Sequence, residues 1–378
     1  MTHSQAQRAS EEPVESSESA IDPSLRRVLE LARWAPSPDN VQPWRFEVTS
    51  PRSLIVHGHA EKELGIYDLL GRGGQIAMGA LLETLEAAAS REGWTLSAQR
   101  LADSRDSHPS FRIEFSPTQA PVSPLAEFIE RRSTQRRPMG STALTAGQKA
   151  ELEAHAAAVA PGFRIAWFEG ADRARVARLL FKSAHIRLTS ESAYHVHTRI
   201  IQWRARYSED RIPDRAIGLD PLTTRFMEWA MGSWRRVSFM NRWFAGTLAP
   251  RLQLDYLPGR ACAAHAVLLC AEEPLTVDHQ VAAGRALQRL WLAATGMGLQ
   301  MQPEMTPILF SEYVRKGVDF SPVPHHAQTA REVARRLEAM LGPERPMSRT
   351  VCMLRLGGGR DPSSRSLRLP LNRLLRRG

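Results

Sequence analysis

Between Leu25 and Phe46 the chain makes one sharp, heavily specified change of direction. Leu25–Trp34 spaces its apolar residues as a helix does, and Trp44–Val48 reads as a strand. Between them stand Ala35-Pro36-Ser37-Pro38-Asp39-Asn40-Val41-Gln42-Pro43. Pro36 ends the helix, because it has no N–H and restrains the residue before it. The prolines leave the connection little freedom, so the polar side chains of Ser37, Asn40 and Gln42 sit on a rigid turn. Short amides and a hydroxyl held in this way suit a polar, planar ligand. On residue types alone the stretch reads equally as an ordinary helix-to-strand connector.

At 378 residues the chain can bury a large core, and two domains or one intertwined unit both fit. The longest apolar run, Ala261–Ala271, is strand length, contains His265 and falls well short of the roughly 20 residues of a membrane span. Met1–Ser24 is polar, rich in Ser and Glu, and has no apolar signal-like core, so it reads as a disordered tail. Cys262, Cys270 and Cys352 show no C-x-x-C spacing, which argues against a disulfide framework or a zinc site and for a reducing cytoplasm. The net charge of +10 comes almost wholly from arginine. Such a surplus suits anionic ligands, lipid or nucleic acid. No zinc-finger spacing, helix-turn-helix pattern or RNP-like aromatic run supports nucleic acid, and no metal is expected.

After the turn, further strands are expected at Leu54–Val56, Leu96–Leu101 and Phe111–Phe115. A helix at about 75–91 carries Ala77, Gly79, Ala80 and Ala87 to Ala89, small residues that suit close packing on a neighbour. Pro117, Pro121 and Pro124 mark a linker. Beyond it the pattern predicts a helix ending near residue 131, helices at 145–159, 171–190, 194–207 and 277–295, and strands at 163–168, 262–270 and 351–356. Gly357-Gly358-Gly359 opens no helix pattern and reads as a turn, so no dinucleotide fingerprint is present. Helices and strands alternate in both halves, an α+β chain.

Three further stretches concentrate polar chemistry. Arg131-Arg132-Ser133-Thr134-Gln135-Arg136-Arg137 and Arg365-Ser366-Leu367-Arg368 are arginine-rich, and Gly298-Leu299-Gln300-Met301-Gln302-Pro303-Glu304-Met305 is amide-rich. Guanidinium groups grip phosphate in bidentate fashion, though such clusters also occur as solvated helix ends and basic tails. His195 and His197 lie on one helix and read as surface or core residues rather than catalysts.

Residues 35–46 resemble the A-P-S-x-x-N-x-Q-P-W-x-F signature of the nitroreductase-like flavoproteins. Residues 131–138 resemble that family's Arg-x-Ser/Thr-x-Lys/Arg motif. The resemblance covers roughly residues 25–373 and implies an FMN cofactor held by Pro36, Ser37, Asn40 and Gln42 of the turn. It adds Arg132, Ser133, Thr134 and Arg136 in the register that keeps both bases, since Arg131-x-Ser133-x-Gln135 lacks the last. It further implies Gln302, Pro303 and Met305 from a loop over the ring edge, and Arg368 beside the phosphate. Ser366 falls where many members have lysine. Typical members are homodimers with the basic motif about a helix before the turn. Here the order is reversed, and each half keeps what the other lacks. The implied fold is nitroreductase-like, with two degenerate halves fused as an intramolecular pseudo-dimer, similar to the tandem Acg-like branch. The expected divisions are a tail at 1–24, a first half at 25–119 and a second half at 120–378, with an insertion at about 208–258.

Within that insertion, residues 222–257 interleave Phe226, Met227, Trp229, Met231, Trp234, Phe239, Met240, Trp243 and Phe244 with Arg225, Arg235, Arg236 and Arg242. A lid over the flavin, a partner interface and a membrane-surface segment follow in that order of expectation. The function the resemblance implies is an FMN-dependent oxidoreductase. It would pass hydride at flavin N5 between NAD(P)H or an organic donor and a small-molecule acceptor, by ping-pong exchange. The alternatives are a lid-closed FMN-sequestering protein and a partner-dependent flavin oxidase acting on a peptide. The catalytic residues are not identified by the sequence.

Overall fold

The computed structural model describes residues 21–59, 62–160 and 162–376. Residues 1–20 of the expected tail lie outside the described residues, and Pro23 already opens the first helix. Helix α1 (Pro23–Ala32) starts where the sequence supplies a cap. The Asp22 carboxylate accepts from the N–H groups of Ser24 at 2.9 Å and Leu25 at 3.2 Å. Its buried residues, Leu25, Val28, Leu29 and Ala32, recur at helical spacing.

Strands β1 (Trp44–Ser50) and β2 (Ser53–Gly58), helix α2 (Arg72–Ser90), and strands β3 (Trp94–Arg100) and β4 (Ser110–Pro117) complete the first half. The strands form an antiparallel sheet in the order β1-β2-β4-β3. Along β4 buried and exposed residues alternate, as one face of a half-covered sheet requires. The expected helix before the basic motif is only a 3₁₀ turn, Pro124–Phe128.

The second half continues with α3 (Ala146–Ala157), β5 (Arg164–Phe168), α4 (Asp172–Thr189) and α5 (Glu191–Ile200). The helix expected at 194–207 stops at Ile200 and gives way to the short strands β6 (Ile201–Gln202), β7 (Tyr207–Ser208) and β8 (Ile212–Pro213). The segment expected as an insertion folds as helices α6 (Pro221–Ala230), α7 (Trp234–Trp243), α8 (Leu248–Arg251) and α9 (Leu257–Arg260). Then come β9 (Ala264–Leu269), α10 (Val277–Gly296), β10 (Leu299–Pro303), α11 (Thr306–Lys316), α12 (Pro324–Leu341), β11 (Thr350–Gly358), β12 (Arg365–Ser366) and α13 (Leu371–Leu374). Strands β10-β11-β9-β5 form a second antiparallel sheet. Gly357 and Gly358 do not turn: they end β11, paired with Gln300 and Leu299. Gly140 passes so close that a Cβ on Gly357 would lie 2.5 Å from its carbonyl oxygen.

The halves meet at α2 and α10. A Cβ on Gly79 would lie 1.9 Å from the Val281 oxygen, and one on Gly284 would lie 2.0 Å from the Ile76 oxygen. The small residues of α2 therefore serve a backbone-to-backbone crossing. Glu83 bridges Arg285 at 3.1 Å and Arg289 at 2.7 Å across it, and Gln288 donates to Thr84 at 3.0 Å. One main core runs through both halves, from Leu25 to Leu374. The C-terminal arm crosses back to the first sheet, where the Arg376 N–H donates to the Phe46 carbonyl at 2.7 Å.

Candidate functional site

The turn after α1 is built on unfavourable backbone. Asp39, Asn40 and Gln42 have φ of 48°, 67° and 50°, the left-handed region that side-chain-bearing residues seldom adopt. Hydrogen bonds hold them there. The Gln42 N–H donates to Ser37 Oγ at 3.0 Å, and Gln42 Nε2 donates to the carbonyls of Asn40 at 3.0 Å and Glu209 at 2.9 Å. Asn40 Nδ2 donates to the same Glu209 carbonyl at 3.0 Å, and Gln42 Oε1 accepts from the Leu369 N–H at 2.9 Å. Both amides thus fasten the turn to the start of the insertion and to the C-terminal arm. Asn40 Oδ1 is left buried without a protein partner.

Beside the turn, three arginines from distant parts of the chain converge. Arg132 is buried, donates from Nη2 to the Trp34 carbonyl at 3.1 Å, and lies 4.6 Å from the Trp291 ring centre. Arg368, also buried, donates from Nε to the Ala35 carbonyl at 2.9 Å. Arg365 lies over the Trp34 ring at 4.8 Å. Arg131 is exposed and stacks on Phe128, so the buried member of the pair is Arg132. Burial depresses the pKa of Arg132 well below the usual value, and the charges of Arg368 and Arg365 push it further. Burial, then Arg365 and Arg33, brings Arg368 to about 9. Burial also lowers Arg365, against the pull of Glu130 and Asp361. Among the described residues none of the three makes an ion pair, and the Nε atoms of Arg132 and Arg365 and Nε1 of Trp34 have no partner. Desolvated like charges without counterions are costly, and an anion seated among them would relieve both penalties.

The rest of the basic motif runs beside β10. Thr134 bridges Met301, and the Gln135 N–H donates to the Met301 carbonyl at 3.1 Å. Ser133 lies half-buried in the same segment. Arg136 is lowered by burial but supported by Asp39, whose own carboxyl is raised by burial and held back by Arg136. The turn of the first half and the basic motif of the second therefore face each other. Gln302 and Pro303, expected in a loop, belong to β10, where they pair with Arg355 and Leu354. Met305 stands at the start of α11 and packs against the main core. Ser366 donates to the Arg211 carbonyl at 2.9 Å.

A buried network underpins this layer. Arg355 donates to the Arg136 carbonyl at 2.8 Å, to Glu304 Oε1 at 3.1 Å and to Gln302 Oε1. Glu304 Oε2 lies 2.7 Å from His265 Nδ1, and His265 Nε2 lies 2.8 Å from the Gly259 carbonyl. Burial alone would depress His265, but the Glu304 carboxylate outweighs it and raises the imidazole to about 10. Burial works against Glu304 too, and His265 and Arg355 reverse it, holding the carboxyl below its usual range. Sequence reasoning did not single out Arg355, Glu304 or Arg365. For Arg355 the available signal was a charge inside the apolar run 351–356, which must find a partner; the sequence around Glu304 and Arg365 carries no such signal.

A cavity of about 440 Å³ lies between the insertion and helices α4 and α5, with Arg187 and His197 on one side and Met227, Met231 and Met240 on the other. Arg187 pairs with Asp255 at 2.6 Å, and His197 Nε2 meets Tyr67 Oη at 2.9 Å. Burial and the Arg187 charge lower His197 to about 3, so it is neutral near pH 7. His195 is exposed. A second cavity of about 430 Å³ lies on the other side of the turn, against Pro38, Asp68 and Met78. Neither cavity is lined by the arginine trio.

No protein-family profile matches the chain. Three solved structures align over most of their own length: a nitroreductase-like family protein of Bacillus cereus, a Desulfovibrio desulfuricans nitroreductase homologue in complex with FMN, and the Mycobacterium smegmatis FMN-dependent nitroreductase NfnB in complex with NADPH. They cover 68%, 68% and 67% of this chain and 98%, 97% and 98% of theirs, at 13%, 15% and 16% identity and TM-scores of 0.33, 0.32 and 0.36. Scores this low do not establish a common fold. In sequence, the chain is 34% identical over 137 residues to proteins of two Mycobacterium tuberculosis strains that bear the name "putative NAD(P)H nitroreductase". The match takes in 35% of this chain and spans 39% of the length of those relatives. Over about a third of its length, then, the chain is similar to proteins named NAD(P)H nitroreductase, the family that residues 35–46 and 131–138 resemble.

Proposed function

We propose that the chain is an FMN-dependent oxidoreductase that moves reducing equivalents between NAD(P)H, or an organic donor, and a small-molecule acceptor. The observation that carries the reading is the buried pair Arg132 and Arg368, with half-buried Arg365 beside them: none of the three makes an ion pair among the described residues, and they stand against the strained turn. A phosphate monoester dianion supplies the charge and the acceptor oxygens that this trio lacks. The 34% identity to nitroreductase-named proteins supports FMN as its bearer.

In this reading Arg132, Arg365 and Arg368 hold the phosphate. Pro36 and Ser37 wall the site from the first half, and Ser133, Thr134 and Arg136 offer donors to the polar edge of the ring. Gln302, Pro303 and Met305 form the opposite wall. Gln42 acts by fixing the turn, since its whole amide is spent on the backbone of Glu209 and Leu369, while Asn40 fixes it through Nδ2 and leaves Oδ1 unpartnered. When bound, FMN supplies two-electron redox chemistry, with donor and acceptor served in turn by ping-pong exchange. Arg355 and Glu304 keep the basic motif and β10 in register.

A second reading, a flavin-sequestering protein closed by the insertion, is favoured by one observation. The insertion packs over a cavity whose ionisable groups are already committed, His197 to Tyr67 and Arg187 to Asp255. Anaerobic titration of the FMN-loaded protein with NADPH and NADH, followed by quinone or nitroaromatic turnover, separates the two. Bleaching of the flavin band and steady turnover support the enzyme. Binding without either supports sequestration, and failure to bind FMN at all overturns both.

A further inference from the structure

The outer face of the insertion is unusually apolar for exposed surface. Among the described residues, eight of the twelve exposed large hydrophobic side chains lie between residues 222 and 257, including Trp229 at 52%, Trp243 at 65% and Phe244 at 62% exposure. Helix α7 buries none of its residues, and α6 buries only Ala230. The methionines of the segment turn inward to the cavity, which Phe226 and Phe244 also line, whereas Trp229, Phe239 and Trp243 lie outside it and are exposed. A lid whose aromatic face packs on a ligand would show the opposite arrangement.

Charge on these two helices is one-sided. Arg225, Arg235, Arg236 and Arg242 are all exposed. Glu228 is the only carboxylate on α6 and α7, and it is already paired with Arg204 at 3.0 Å. Arg236 and Arg242 stack on the exposed rings of Trp229 and Trp243 at 5.2 and 5.5 Å. Charge decides between possible occupants. A second copy of the chain would set arginine against arginine with no acid to match, so the face is not self-complementary. An anionic bilayer presents phosphates above an apolar layer, which matches arginines interleaved with tryptophan and phenylalanine. No described helix is long and apolar enough to cross a membrane, so the fit is to the surface.

We propose that the α6–α7 hairpin docks this protein on the surface of an anionic lipid bilayer. Trp229, Phe239 and Trp243 enter the boundary between headgroups and acyl chains, and Arg225, Arg235, Arg236 and Arg242 meet lipid phosphates. The inference stands apart from the FMN reading, because none of these residues touches the arginine trio.

The test is co-sedimentation of the full chain with phosphatidylcholine vesicles, with and without about 30 mol% phosphatidylglycerol, at about 0.1 and 0.5 M salt. Binding should require the anionic lipid and weaken several-fold at the higher salt. Arg235→Gln with Arg236→Gln, and separately Trp229→Ser with Trp243→Ser, should each lower the partition coefficient about tenfold. These positions are exposed, so thermal midpoints should not move, which separates lost docking from lost folding. Absence of binding, or equal binding to neutral and anionic vesicles, overturns the proposal. So does a dimer in sedimentation velocity that the tryptophan substitutions dissociate, which would assign the face to a second copy instead.

Discussion

Arg132, Arg365 and Arg368 are where single side chains decide most. Each loses solvation, and Arg132 and Arg368 are also repelled by neighbouring guanidinium groups, so an anion seated there would relieve both penalties. Arg132→Ala should weaken FMN binding by about 1.5–3 kcal/mol, the scale of a hydrogen bond to a charged group. Riboflavin lacks the phosphate, so its affinity should hold; equal losses for both ligands in fluorescence titrations would remove Arg132 from the phosphate site. His265 makes a different prediction. Its imidazole is raised to about 10 from an ordinary 6.5, so the stabilisation it gives is complete below 6.5 and disappears as the pH climbs through 10. Urea midpoints should fall across that window, and His265→Gln should flatten the fall at a cost of about 3 kcal/mol near neutrality. An unchanged slope in the variant would assign the alkaline loss to other groups. Glu304 acts with the opposite sign: its contribution is present above the ordinary carboxyl value of 4.5 and goes as the pH drops.

At the scale of elements, the α2–α10 crossing holds the halves together. Gly79 and Gly284 let two backbones approach more closely than any side chain permits. Gly79→Ala must force them apart and should destabilise by about 3 kcal/mol, the upper end of overpacking costs. Gly74 lies on the same helix with open space where its Cβ would stand. Gly74→Ala should be neutral or stabilise by up to about 1 kcal/mol, because only helix propensity changes. Equal effects in thermal or urea unfolding would contradict a tight crossing. The insertion behaves otherwise: α7 is held by few buried contacts, so substitutions on its outer face should leave stability alone.

Over the whole molecule, the turn at 37–42 belongs to the first half and the basic motif to the second, and they face each other through Asp39 and Arg136. The corresponding place in the second half, Ser190-Glu191-Ser192, is spent otherwise: Ser190 caps α5 through the Ala193 N–H. One complete site per chain follows from the fused-pair reading. Flavin released on denaturation, counted against protein, should approach one per chain. A ratio near two would mean that the second half also builds a site.

Much of this was written in local sequence. Asp22 and Pro23 set the start of α1, Thr145 and Gln148 form the capping box of α3, and the small residues of α2 announced a close neighbour. Strand β4 declared itself by alternation and β9 by an apolar run, whereas β10 and the short strands β6 to β8 did not. These features depend on residues a few positions apart, and backbone preference and burial act at that range. The three-dimensional structure alone decided how the polar groups are used. Gln42 spends its amide on Glu209 and on Leu369, 327 residues away, so a side chain that looked free for a ligand fixes a turn instead. Arg365 joins Arg132 only because the C-terminal arm crosses the molecule, and Gly357 and Gly358 extend β11 because Gly140 packs against them. A side chain's chemistry is set by the atoms around it, and those atoms come from packing between segments far apart in the chain, which no short pattern records.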